Sequence, residues 1–538
     1  MKEGKGEKDM GSKIMAAEDA VRFIRDGGTV SVCGIIGSLV AEKVLTALEK
    51  RFLETGSPSN LTAIFPIAVG DVYGISGADH LAHEGMIRRV IGGSYVTAPA
   101  ASPPQKLVAM VYQNKVEAYN FTMGVLMHLH REIAAKRPGL ITQVGLRTFV
   151  DPRLNGAKMN EKTREDLIEV IQLQGKECLF FKSFPIHAAI IRGTTADEEG
   201  NISMEHEGSF SIMLYLAMAA HNCGGKVIAQ VKRVTPRGSL NPQMVKVPGI
   251  LVDAVVIDED QKQATGIVYD PAVSGEMKKP LGKIDSVPLN MEKVVARRAL
   301  MELRKGDIVN LGFGIPSLIS PVAAEENLVD QITFTIEHGA IGGVPLSGLQ
   351  FGAAINPEAI IESGAQFDFL TGGGIDAAAM AFAEVDGRGN VNVSRLAKVP
   401  HALSGAGGFI DILHRVKRII FCGTLTAGGI QAEVRDGRME ILKEGKVIKC
   451  VPELQHRTFD AAFALEKGQE VIYITERAVF RLQPEGLILV EIAPGIEAKR
   501  DVQPVVQFDF QVSSDLKRMD ARIFSPEPMG LKASGEWK

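Results

Sequence analysis

Cysteine is scarce: five in 538 residues, an odd number, at Cys33, Cys178, Cys223, Cys422 and Cys450, with no C-x-x-C spacing among them. That excludes a disulfide framework and a zinc knuckle, and it fits a reducing, cytoplasmic compartment. Aromatic residues make up only 6%, with a single tryptophan, Trp537, so no stacking platform for nucleobases is visible. Charge of one sign is lacking too: the net value is −4, which gives no general attraction to nucleic acid or to an anionic membrane, and any anionic ligand has to be held locally. The longest uncharged stretch, His338 to Asn356, carries five glycines and a proline and is excluded as a membrane-spanning helix. Residues 1–13 are charged, lack the apolar run of a signal peptide and read as a flexible tail.

Several chemical signatures are missing as well. There is no G-x-x-x-x-G-K-S/T phosphate loop, and Gly312, Phe313 and Gly314 lack the third glycine of a dinucleotide fingerprint. Ser347 sits in no G-x-S-x-G elbow, which leaves a serine hydrolase triad without support. His128 and His130 have no acidic or cysteine partner at ligand spacing, so no metal is assigned.

What is present is glycine, 56 residues, clustered at the ends of short β-branched runs. This is the punctuation of an α/β fold. Gly28 to Gly34 reads as a strand entering a glycine turn, and Leu39 to Phe52 places Val40, Val44, Leu45 and Leu48 on one helical face. Gly306 to Gly314 repeats that layout at an offset of 278 residues. A second echo, Ala196 to Ser203 against Val385 to Asn392, has an offset of 189, so the first half carries about 89 extra residues, expected between about 60 and 150. The proline-bearing segment 270–289 reads as a linker. The expected architecture is two tandem, related, open α/β domains with mostly parallel sheets, 14–269 and 290–530, followed by a tail over 531–538.

The most informative stretch is Gln331 to Pro345. Ile332 to Ile336 predicts a buried strand that stops at Glu337, followed by Gly339, Gly342 and Gly343. A carboxylate at the carboxyl end of a central parallel strand is where α/β enzymes place reactive groups. The alternative is that Glu337 ends a strand in solvent. Three further glycine clusters, Gly312 with Gly314, Gly372 to Gly374, and Gly428 with Gly429, either offer backbone N–H donors to a ligand oxygen or simply make tight turns.

Taken together, Glu337-His-Gly-Ala-Ile-Gly-Gly-Val-Pro345, with the Gly312 cluster upstream and the Gly372 run, Gly389 to Ser394 and Phe421 to Gly429 downstream, resembles the family I coenzyme A transferases in residues and in order. The likeness covers about residues 14 to 530. It is strongest to the fused branch acting between short acyl-CoAs and acetate or propionate, which joins an α-like half to a β-like half carrying the catalytic glutamate. The resemblance implies that Glu337 is a nucleophile, attacking an acyl-CoA thioester to give a mixed anhydride that CoA thiolate converts to a glutamyl-CoA thioester. It implies that the amides of Asn390 and of Gly428 and Gly429 face the glutamyl oxygen. Gly312, Phe313, Gly314, Gly342, Gly343 and Met123 then contact substrate or CoA, with the Phe313 N–H toward the acyl oxygen. The expected partners are acyl-CoA and short carboxylic acids such as acetate, propionate or butyrate, with no cofactor, CoA being a substrate. A homo-oligomer is expected, a tetramer among its forms, and neither nucleic acid nor membrane. One departure stands out: family members often carry Pro-Gln-Gly where this chain has Thr122, Met123 and Gly124, which replaces a hydrogen-bonding side chain by an apolar one. An acyl-CoA hydrolase using the same glutamate and a ligand-sensing protein without turnover are the competing readings.

Overall fold

A computed structural model describes residues 12–95, 105–280, 286–396, 399, 402–532, 534 and 537. Most of the expected N-terminal tail, residues 1–11, and part of the expected linker, 281–285, lie outside the described residues.

The first half is built on seven strands: β1 (Thr29–Val32), β2 (Leu61–Phe65), β3 (Ile87–Gly92), β4 (Glu117–Asn120), β5 (Ala188–Arg192), β6 (Lys226–Val231) and β7 (Ala254–Ile257). They lie in the order β7-β6-β5-β1-β2-β3-β4, every neighbouring pair parallel. All residues of β1, β2 and β5 are buried, as expected of parallel strands covered on both faces, and the polar Thr29, Ser31, Thr62 and Arg192 are buried along with their apolar neighbours. The helix after β1 spans Glu42–Thr55 and buries Val44, Leu45, Ala47 and Leu48; it stops where Gly56 adopts a φ of 72° and its N–H caps the Phe52 carbonyl. Val40, expected on that helical face, is buried just ahead of the first turn.

The second half carries ten strands: β8 (Ile308–Leu311), β9 (Thr333–Thr335), β10 (Ala340–Ile341), β11 (Ala359–Ile360), β12 (Ala377–Ala381), β13 (Arg418–Cys422), β14 (Glu470–Ile474), β15 (Ala478–Gln483), β16 (Gly486–Ile492) and β17 (Gln511–Arg518). Their order is β11-β10-β9-β8-β12-β13-β14-β15-β16-β17; the central run β9-β8-β12-β13-β14 is parallel, β10, β11, β15 and β16 are joined antiparallel, and β17 pairs parallel with β16. The central order β9-β8-β12-β13-β14 matches β2-β1-β5-β6-β7 of the first half. The extra length of the first half supplies β3, β4 and a separate antiparallel sheet of Gly139–Thr142, Lys176–Lys182 and Ile168–Leu173, so the insertion runs some thirty residues further than its expected end near residue 150.

The second sequence echo is a repeated hairpin turn. Asp197 Oδ1 accepts the N–H groups of Glu199 and Asn201, and its Oδ2 accepts the Asn201 side chain. Asp386 binds Arg388 and Asn390 in the same way. Each asparagine Oδ1 then takes a backbone N–H, that of Gly249 or of Ala461.

The two halves share one continuous apolar core. In the expected linker, Pro271–Ser274 forms a short helix whose Ala272 and Val273 pack with Ala353 and Ile355 of the second half. At the other end, the Leu531 N–H donates to Glu326. All five cysteines are free thiols, and among the described residues no helix is long and apolar enough to cross a membrane.

Candidate active site

Strand β9 ends at Thr335 and the chain reverses over Ile336 to Ala340, where Ile336 N–H donates to Ala340 O and Gly339 N–H to Ile336 O, both at 3.0 Å. Glu337 and His338 occupy the tip. Gly339 has a φ of 108°, and a Cβ there would stand 2.0 Å from the Ile361 carbonyl oxygen, so the reversal admits only glycine. Both halves hold this tip: the His338 carbonyl accepts hydrogen bonds from Ser209 Oγ of the first half at 2.5 Å and from Ser363 Oγ at 3.0 Å. Glu337 therefore does not end a strand in solvent; it is only 7% exposed.

Glu337 lines a cavity of about 350 Å³. The first half contributes Ile36, Ile67, Ser94 and Met123, and the second contributes Phe313, His338, Phe351, Met380 and Phe382. Phe313 and His338 each meet Phe351 edge-on, with ring centroids 5.6 and 5.8 Å apart. Among the described residues Glu337 Oε2 has no hydrogen-bond partner. Burial pushes the Glu337 carboxyl up from 4.5 to about 7; its own backbone N–H opposes this, and the nearby Asp411 carboxylate adds to it. Asp411 is itself pushed up to about 7 by burial, against the Thr122 hydroxyl, the charge of His128 and the Gly124 N–H. Burial drives the His338 imidazole down to about 3, so it is neutral at physiological pH.

The structure brings Gly312, Phe313, Met123 and Glu337 to one cavity, as the sequence suggested they should meet. It does not bring Asn390 there. The Asn390 N–H and one N–H of its side chain go to Asp386, and its Oδ1 accepts from Ala461 N–H, as in the turn at Asp197 and Asn201, so the backbone amide expected to face the glutamyl oxygen is engaged within the turn. Gly428 and Gly429 likewise line no part of this cavity: they follow the short strand Thr426–Ala427, where the Gly428 carbonyl accepts from Lys446. Gly314, Gly342 and Gly343 are also absent from its wall. Gly342 and Gly343, with φ of 74° and 72°, instead let the chain cross close to Glu358 and the Ile355 carbonyl.

The glycine run that does reach the cavity is Gly405 to Gly408, between β12 and the helix Phe409–Leu413. Ala406 N–H donates to Asn120 Oδ1 at 2.7 Å, Gly407 N–H to Gly93 O at 2.9 Å, and Met123 N–H to Gly407 O at 3.0 Å. Asp411, one helical turn on, accepts from Thr122 Oγ1 at 2.8 Å. Gly124 lies so close that a Cβ would sit 2.5 Å from Asp411 Oδ1. The sequence signal was there, four small residues ahead of a buried helix, but nothing local distinguished it from the other glycine clusters.

Residues 14–258 match the family described as "Coenzyme A transferase". The caffeate CoA-transferase of Acetobacterium woodii is 43% identical over 97% of this chain and 99% of its own. The acetate CoA-transferase YdiF of Escherichia coli O157:H7 is 42% identical over 96% of both chains. A crystal structure of that acyl-CoA transferase, described as a thioester complex with CoA, superimposes with a TM-score of 0.88 at 40% identity, covering 96% of this chain and 97% of the other.

Proposed function

Because this chain belongs to the coenzyme A transferase family, we propose that it moves CoA from an acyl-CoA to a free carboxylate through a thioester formed at Glu337. The observation that carries this reading is a glutamate whose Oε2 is buried, with no partner among the described residues, beside an apolar cavity built from both halves of the chain. The Glu337 carboxylate attacks the thioester carbonyl, the C–S bond breaks, and the acyl group is left as an anhydride on the glutamate. The departing CoA thiolate then attacks the glutamyl carbonyl and expels the donor acid, leaving glutamyl-CoA. An acceptor carboxylate runs the same steps in reverse. The apolar walls keep water away from the anhydride, and the Phe313 N–H is the donor proposed for the acyl oxygen.

Short acids such as acetate, propionate and butyrate are the proposed acceptors. The cavity also has room for an acyl group larger than acetyl, consistent with the two relatives whose names give acids as different as acetate and caffeate. A homo-oligomer in a reducing compartment is part of the same proposal.

The test is the intact mass after acyl-CoA is added without acceptor. A CoA adduct mapped to Glu337 and discharged by acetate is expected. CoA released with no adduct and no acceptor would make the protein a hydrolase, and CoA bound without exchange would make it a sensor.

A pH profile gives a second check. The nucleophile is the ionised carboxylate, so the rate of adduct formation should rise with pH and level off above about 7. Asp411→Asn removes a neighbouring negative charge that favours the protonated form of Glu337, and should move this limb to lower pH. An unmoved limb would show that Asp411 does not act on Glu337.

A further inference from the structure

His338 is 2% exposed, and among the described residues neither Nδ1 nor Nε2 has a hydrogen-bond partner. Buried polar atoms in folded proteins are nearly always paired, and an unpaired one loses its hydration without return. A phenylalanine in the same place would pack against Phe351 at no such cost. The ring also lines the cavity, one residue from Glu337 on the tip of the reversal, beside the space where an acyl group must lie to react. Nδ1 stands close to Gly352, since a Cβ built there would be 3.3 Å from it, and Gly352 offers that nitrogen no side chain.

We propose that His338 is a catalytic residue whose ring N–H donates a hydrogen bond to the carbonyl oxygen of the acyl group reacting at Glu337. The inference rests on the transferase reading and extends it by naming a side-chain donor beside the nucleophile. Burial keeps the imidazole neutral, so it carries one N–H whatever the pH above about 3 and brings no positive charge that would pair with Glu337 and blunt it as a nucleophile. As the carbonyl oxygen gains charge in the tetrahedral intermediate, a donor held beside it gains strength with little reorganisation. The other walls are mainly hydrocarbon, which strengthens that bond and leaves the acyl chain itself unrecognised by polar groups.

The experiment compares the natural chain with His338→Phe and His338→Gln, measuring the rate of adduct formation from acyl-CoA at saturation, the affinity for free CoA, and the melting temperature. The expected result is a fall of about 10²-fold in the saturated rate for His338→Phe, with CoA affinity and melting temperature retained, and partial recovery in His338→Gln, which restores an N–H donor. Rates within about threefold of the natural chain in a folded His338→Phe protein would overturn the proposal, because such a loss is far below that of one oxyanion donor. A fall that His338→Gln shares in full would also overturn it, pointing to filled space instead of a donor. If His338→Phe does not fold, His338→Gln decides alone: a rate within about tenfold of the natural chain supports the donor, and a rate as low as expected for phenylalanine overturns it. Failure of the natural chain to form an adduct would instead remove the transferase reading on which all of this stands.

Discussion

Glu337→Gln should lower CoA transfer by at least about 10⁴-fold while making the protein more stable at alkaline pH. The loss of rate follows from the loss of the nucleophile: an amide oxygen neither attacks the thioester nor holds CoA as a thioester. The gain in stability has a separate cause. Burial raises the carboxyl from 4.5 to about 7, so between those values the folded protein binds a proton that the unfolded chain has released. Stability therefore falls as pH rises through that window, by about 3 kcal/mol in all, and the penalty is complete above about 7. Glutamine carries no charge and escapes it. Denaturant titrations should show the variant ahead of the natural chain at pH 8 and the two converging near pH 4.5. A variant no more stable than the natural chain at pH 8 would mean that the carboxylate finds a compensating partner in solution.

The second large effect lies two residues on. Gly339→Ala places a Cβ 2.0 Å from the Ile361 carbonyl oxygen, at a backbone φ of 108° that side chains avoid. The neighbouring strand must move, and it is the strand that pairs Ala340 with Ile360 beside the reactive tip. A cost of about 3 kcal/mol or more is expected, with adduct formation falling alongside because Glu337 is displaced. Gly429→Ala is the matched control: its φ is 97°, but nothing lies within 4 Å of a Cβ there, so only the backbone term of about 1 kcal/mol applies. Equal losses in the two variants would contradict the claim that close approach, and not backbone conformation alone, fixes this position.

The parts of this molecule that could be read in the sequence are those in which local pattern and tertiary role coincide. Thr29–Val32 is buried throughout and Ile308–Leu311 in all but its first residue, and their β-branched runs set between glycines announce central parallel strands. Glu337 follows such a run and precedes glycines that the reversal requires, which is why its place was visible. The pattern at Asn390, an aspartate four residues ahead of an asparagine, builds a hairpin turn that the chain makes twice, at Asp197 as well as at Asp386, so by itself it does not mark a reactive site. The Gly405 to Gly408 loop and Asp411 are not legible in the sequence for a different reason. Their partners Asn120, Met123 and Thr122 lie nearly three hundred residues away, and no periodicity reports a contact of that range.

That same seam bears on supply and concentration. Met123 N–H to Gly407 O, Ala406 N–H to Asn120 and Thr122 to Asp411 bind walls that come from opposite halves of one polypeptide. Each round of synthesis thus delivers the two walls in a fixed one-to-one ratio, with no surplus half left showing a bare apolar flank. Their encounter is set by the tether between them and not by how much protein the cell makes, so dilution alone does not pull the two walls apart.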